Sequence, residues 1–154
     1  MGFRGTYEHS LDEKGRTSVP SRFRRVFSAA AQAVEGQQGA GARTALILSP
    51  SDDGCLIAWT LDRWTEFEAN VLALPRFRED ALWLRRFMLA EAEEVQIDSS
   101  GRILLPARMR EEADIHTSVL WKGQGDMCEL WSPDRFSAVK AREGKRPDLG
   151  DLVL

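Results

Sequence analysis

Apolar and polar positions alternate from the first residues of the chain. Phe3, Gly5, Tyr7, His9 and Leu11 share one side of a period-two pattern, which predicts a strand over residues 3 to 11. A polar stretch, Asp12-Glu13-Lys14-Gly15-Arg16, interrupts it, and Thr17-Ser18-Val19 resumes a β-compatible run. Pro20 then stands where a first helical position belongs, and a short helix is expected to end near Ala31. Residues 34 to 43 are rich in Gly, Ala and Gln and read as a flexible loop. Two apolar runs, 45 to 48 and 55 to 59, flank Pro50-Ser51-Asp52-Asp53-Gly54 and predict a hairpin. Thr60 can cap a helix over 61 to 74, which Pro75 stops, and a second helical pattern covers 78 to 90.

The second half runs through the same order. Ile97-Asp98-Ser99-Ser100-Gly101-Arg102-Ile103-Leu104-Leu105-Pro106-Ala107-Arg108 repeats Leu11 to Arg22 at a constant offset of 86 without a gap. Asp12/Asp98, Gly15/Gly101, Arg16/Arg102, Pro20/Pro106 and Arg22/Arg108 coincide, and Arg24/Arg110 continues the match. Such agreement marks an internal duplication. Strands around 119 to 121 and 127 to 131 follow, and Ser132 caps a final helix with Pro133 at its first position. Trp59/Trp131 and Arg63/Arg135 align at an offset of 72, the shorter spacing reflecting the 34 to 43 loop, which the second half lacks.

The motif has its own local physics. An Asp followed by polar residues and a Gly suits a tight turn, because the carboxylate accepts from nearby backbone N–H groups and Gly tolerates positive φ. Gly15 and Gly101 are therefore expected at positive φ, and Arg16, at the turn's exit, is expected to be largely exposed. For a single copy, a plain turn device with Asp and Arg paired across it competes with any functional reading. Two copies with basic residues at matching positions favour a function.

These residues resemble the MraZ family, whose members carry two AbrB-like repeats, each with an Asp-x-x-x-Arg core. The opening Met1-Gly2-Phe3-Arg4-Gly5-Thr6, the segment Trp59-Thr60-Leu61-Asp62-Arg63-Trp64 and Leu130-Trp131-Ser132-Pro133-Asp134-Arg135-Phe136 extend the resemblance over roughly residues 1 to 143. It implies a mixed, strand-dominated α/β fold. Two AbrB-like swapped-hairpin repeats, 1 to 75 and 76 to 143, would form one pseudo-twofold barrel with peripheral helices, followed by a tail over 144 to 154. It also implies a cytoplasmic, nucleoid-associated homo-oligomer, a closed ring such as an octamer. Such a ring would bind promoter direct repeats in double-stranded DNA and repress its own division and cell-wall operon. The DNA-binding positions would be Lys14, Arg16, Arg22, Arg24, Arg102 and Arg108, with Asp12, Gly15, Asp98 and Gly101 forming the turns.

Composition and charge refine this. Of the 154 residues, 43% are hydrophobic and 29% charged, a globular balance, and no apolar run nears the ~20 residues of a membrane span. The net charge of −3, taken alone, opposes a polyanionic partner, yet residues 1 to 27 hold six Lys or Arg against three Asp or Glu. The local field decides where a polyanion docks. The second repeat is weaker, with Ser100 where the first has Lys14, and Glu111 and Glu112 after Arg110. Cys55 and Cys128 lie far apart and His9 and His116 lack ligand spacing, so neither a metal, a cofactor nor a catalytic site is expected. The five Trp lie in apolar patterns and are expected in the core or at subunit contacts rather than stacking on bases. An AbrB-like antitoxin with a toxin-binding tail, and a ring-forming protein scaffold without DNA binding, are the alternatives.

Overall fold

The computed structural model describes residues 2–35 and 44–154. Of the expected 34 to 43 loop, residues 34 and 35 instead continue the first helix, which was expected to end near Ala31, and 36 to 43 lie outside the described residues. The fold is mixed α/β, as expected. The first repeat supplies β1 (Thr6–Ser10), β2 (Arg16–Ser18), α1 (Ser21–Glu35), β3 (Ala45–Pro50), β4 (Leu56–Trp59) and α2 (Leu61–Ala73). Then come α3 (Glu79–Leu84), a π-helical turn (Arg85–Leu89), β5 (Glu93–Gln96), β6 (Arg102–Leu104), α4 (Ala107–Glu112), β7 (Ser118–Gly123), β8 (Cys128–Trp131) and α5 (Pro133–Glu143).

The strands form a six-stranded antiparallel sheet in the order β1-β7-β8-β4-β3-β5 and a separate two-stranded ribbon, β2-β6. The repeats exchange strands. β1 of the first pairs with β7 of the second, and β5 of the second pairs with β3 of the first. The two central strands, β4 and β8, meet with Ile57 opposite Glu129, positions related by the 72-residue offset. In the ribbon Thr17 faces Ile103, related by the 86-residue offset. A local pseudo-twofold passes through both pairs. No ladder among the described residues joins the two sheets into one closed barrel.

Side-chain spacing explains where the core sits. Phe23, Phe27 and Ala31 recur every fourth residue along α1, and all three are buried. They meet Phe3 and Trp121, with ring centroids of Phe3 and Phe23 5.3 Å apart and of Phe23 and Trp121 6.3 Å apart. The β3 residues alternate between two clusters, Leu46 and Leu48 in this core and Ile47 with Trp59 and Trp64 in a smaller one under α2. Each repeat also ties down the other's hairpin turn. Arg63 pairs with Asp126 at 2.5 Å, while its counterpart Arg135 donates to the Gly54 carbonyl at 2.9 Å.

Three local expectations need correction. Thr60 precedes α2 with extended backbone, but its buried hydroxyl makes no hydrogen bond and does not cap the helix. Ser132 does cap α5, accepting from the Arg135 N–H. Pro20 and Pro106 stand just before α1 and α4 rather than inside them. Their carbonyls accept from the N–H of Arg24 and Arg110, so each proline opens its helix from outside. The helix expected over 78 to 90 divides into α3 and the π-helical turn.

Candidate nucleic-acid interface

Each copy of the motif folds into the same turn. Asp12 Oδ1 accepts from the backbone N–H of Lys14 at 3.0 Å and of Arg16 at 2.9 Å, and Asp98 Oδ1 accepts from Ser100 at 2.9 Å and Arg102 at 3.0 Å. The main chain closes behind the carboxylate, Gly15 N to Asp12 O at 3.0 Å and Gly101 N to Asp98 O at 2.9 Å. These backbone donors, the Arg16 N–H for Asp12 and the Arg102 N–H for Asp98 foremost, hold both carboxyls below their ordinary titration range. Gly15 and Gly101 have φ of +87° and +78°, as expected.

The repeats also interlock here. The Gly15 carbonyl accepts from Leu105 N at 3.0 Å, and the Gly101 carbonyl accepts from Val19 N at 2.9 Å. The Arg24 guanidinium lies against Gly101, and that of Arg110 against Gly15, where a Cβ would collide with it. Arg110 is fixed there by donating Nε–H to the Leu105 carbonyl at 2.9 Å. Sequence reasoning missed this exchange, although the coincidence of Arg24 and Arg110 was its trace.

The ribbon carries the turn arginines outward. Thr17 and Ile103 point into the core, while Arg16, Ser18, Arg102 and Leu104 occupy the other face. Arg16 is opposite Leu104, and Arg102 is opposite Ser18. The two arginines are thus diagonal neighbours across the pseudo-twofold.

Arg16 departs from the expectation of a largely exposed side chain: it is half-buried and paired. Its side chain is 37% exposed, and its Nε–H donates to Asp12 Oδ2 at 2.7 Å. Arg102 sits 3.5 Å from Asp98 Oδ2 through Nε and 4.0 Å from Asp12 Oδ2 through Nη1. Two carboxylates therefore face two guanidiniums, and the pairing across the turn belongs to the function-free reading as well. The uncompensated charge comes from around this group: Lys14 and Arg22 are exposed and lack an ion-pair partner among the described residues. Arg108, the counterpart of Arg22, is engaged by Glu91, by Glu93 at 3.7 Å and by Glu112 at 4.0 Å.

Other chemistries find little here. Among the described residues no group of three His, Cys, Asp or Glu side chains is placed to hold a metal ion, and no helix is long and apolar enough to cross a membrane. Burial and the Glu129 carboxylate push the Cys55 thiol up, and burial does the same to Cys128. Trp59, Trp64, Trp121 and Trp131 are buried, which leaves Trp83 as the exposed indole.

A family model described as "MraZ protein, putative antitoxin-like" matches residues 2–87 and again 88–147. A protein named transcriptional regulator MraZ from Pseudomonas putida strain F1 is 35% identical over 160 residues, 99% of each chain. One of the same name from Thermoanaerobacter pseudethanolicus is 37% identical over 130 residues, covering 84% of this chain and 80% of its own. Another, from Heliobacterium modesticaldum, is 36% identical over 135 residues, covering 88% and 84%.

Proposed function

The chain belongs to the MraZ family, and from that premise we propose that it is a DNA-binding transcriptional regulator that meets duplex DNA with its two Asp-x-x-Gly-Arg turns. The carrying observation is the ribbon face that presents Arg16 and Arg102 as diagonal neighbours about the pseudo-twofold. A β-ribbon of this kind fits the major groove, where an arginine can read guanine bidentately. Lys14, Arg22 and Arg24 meet phosphates beside it, and Arg108 contributes less because three carboxylates already engage it.

In this reading the repeats divide as 1 to 75 and 76 to 143, with a tail beyond. The protein acts in the cytoplasm at the nucleoid, as a repressor of its own division and cell-wall operon. Copies assemble into a closed ring such as an octamer, and the ring engages short promoter direct repeats together. Each turn then binds at the effective concentration set by its neighbours, so weak single contacts sum to a firm hold. Neutral turn chemistry favours this: with Asp12 and Asp98 cancelling part of the arginine charge, one subunit alone has a modest grip.

The test is a mobility-shift titration on the chain's own upstream region at several salt concentrations, with mass in solution measured by light scattering. If each engaged subunit neutralises about four phosphates, log affinity falls against log salt with a slope near −3.6 per subunit. A ring that assembles but shifts no DNA at low salt identifies the protein-scaffold alternative instead.

A further inference from the structure

The first repeat carries a groove whose three arginines are not matched at the equivalent positions of the second. Arg4, Arg22 and Arg25 line it together with Gly2 and Val26. Arg22 and Arg25 are three residues apart on α1 and so share a helix face, while Arg4 reaches the same groove from the segment before β1. All three are exposed, and none has a carboxylate at ion-pair distance among the described residues. Three like charges converging without a counter-ion repel one another, an arrangement that an anion relieves.

The pseudo-twofold gives the comparison. At the 86-residue offset Arg4, Arg22 and Arg25 become Ala90, Arg108 and Glu111. There the remaining arginine is engaged by Glu91, Glu93 and Glu112. One end of the doubled fold is basic and open, and the equivalent end is neutralised from within.

We infer that Arg4, Arg22 and Arg25 form a clamp for backbone phosphates of duplex DNA, present on the first repeat only, so that each subunit docks on DNA in one orientation. The inference rests on the DNA-binding reading and adds Arg4 and Arg25, which lie outside the doubled motif, to Arg22 within it. Guanidinium groups suit the ligand because they donate to phosphate oxygens in a fork and stay charged at all working pH values. Arg24, between Arg22 and Arg25 on α1, lies against Gly101, so the helix that bears the clamp also touches the second turn.

The experiment uses the full chain with its upstream duplex and with a scrambled duplex of equal length, by fluorescence anisotropy across salt concentrations. Arg4→Ala and Arg25→Ala should each reduce the salt slope by about 0.9, and the double variant by about 1.8. The affinity loss should be the same on both duplexes, since phosphate contacts carry no sequence information. Arg86→Ala, which removes an exposed arginine outside the groove, should change neither quantity. Arg25→Gln, with thermal melts on every variant, separates loss of charge from loss of fold. A double variant that keeps the wild-type slope and affinity overturns the clamp while leaving the DNA reading intact, as does an equal loss from Arg86→Ala. A wild-type chain that binds neither duplex at low salt overturns the DNA reading, and the clamp with it.

Discussion

The guanidinium of Arg24 lies against Gly101, so the turn of the second repeat is shaped around a side chain from the first. Any residue with a Cβ at position 101 meets two obstacles, the φ of +78° and the displaced guanidinium. Gly101→Val and Gly15→Val should each lower stability by about 1–3 kcal/mol. Thermal melts check this. A double-mutant cycle with Arg24→Ala isolates the crowding, because removing the arginine restores space at position 101 but leaves the backbone strain in place.

Arg16→Ala should behave differently. The turn's shape is held by the Asp12 carboxylate on two backbone N–H groups and by the glycine, and the Arg16 side chain adds only a half-exposed ion pair. Such pairs contribute little. The melting temperature of Arg16→Ala should stay close to wild type while DNA affinity drops, and Asp12→Ala should melt lower than Arg16→Ala. If Arg16→Ala proves the less stable of the two, the arginine is chiefly a structural partner of Asp12.

The pseudo-equivalent arginines offer paired comparisons. Arg16→Ala should weaken DNA binding more than Arg102→Ala, because the first turn also carries Lys14 where the second has Ser100. Arg22→Ala should likewise cost more affinity than Arg108→Ala, whose guanidinium is already committed to Glu91, Glu93 and Glu112. Titrations of the four variants at one fixed salt concentration rank them directly. Equal losses within either pair contradict the charge argument.

Acid should loosen the turns. Asp12 and Asp98 titrate lower in the folded chain than in the unfolded one, owing first to the Arg16 and Arg102 backbone N–H groups. Their stabilising effect is therefore complete above the ordinary carboxylate value of 3.8 and is lost as pH falls through the lower folded values. Melts from about pH 5 downward should show a decline that is shallower in the Asp12→Asn, Asp98→Asn double variant, whose side chains cannot be protonated over this range. An unchanged acid decline would assign it to other carboxylates.

What the sequence made legible was local. Asp12, Gly15 and Pro20 each answer a backbone demand within a few residues, so the turn, the positive φ and the start of α1 could be read without a partner. The β3–β4 hairpin was legible for the same reason, with Pro50 to Gly54 between two apolar runs. Partner choice was not legible in the residue pattern, and the exchange between halves was implied only by the family resemblance. Nothing in the pattern of Tyr7 and His9 says that β1 lies beside Trp121 rather than beside a strand of its own repeat. The engagement of Arg108 depends on Glu91 and Glu93, distant along the chain and brought near only by the fold. Thr60 shows the limit of a residue-type rule, since its side chain is buried away from the helix N–H groups it was expected to cap.

The strand exchange has a consequence for what the two halves are free to become. A single repeat could complete its sheet only by pairing with another copy, and the two ends of such a dimer would be chemically identical. Joining the halves in one chain makes that encounter intramolecular, so it no longer depends on protein concentration. It also releases each half from having to match the other. A dimer of identical repeats cannot hold Arg25 at one end and Glu111 at the equivalent place; the fused chain does, and so gives a near-symmetric body a front and a back.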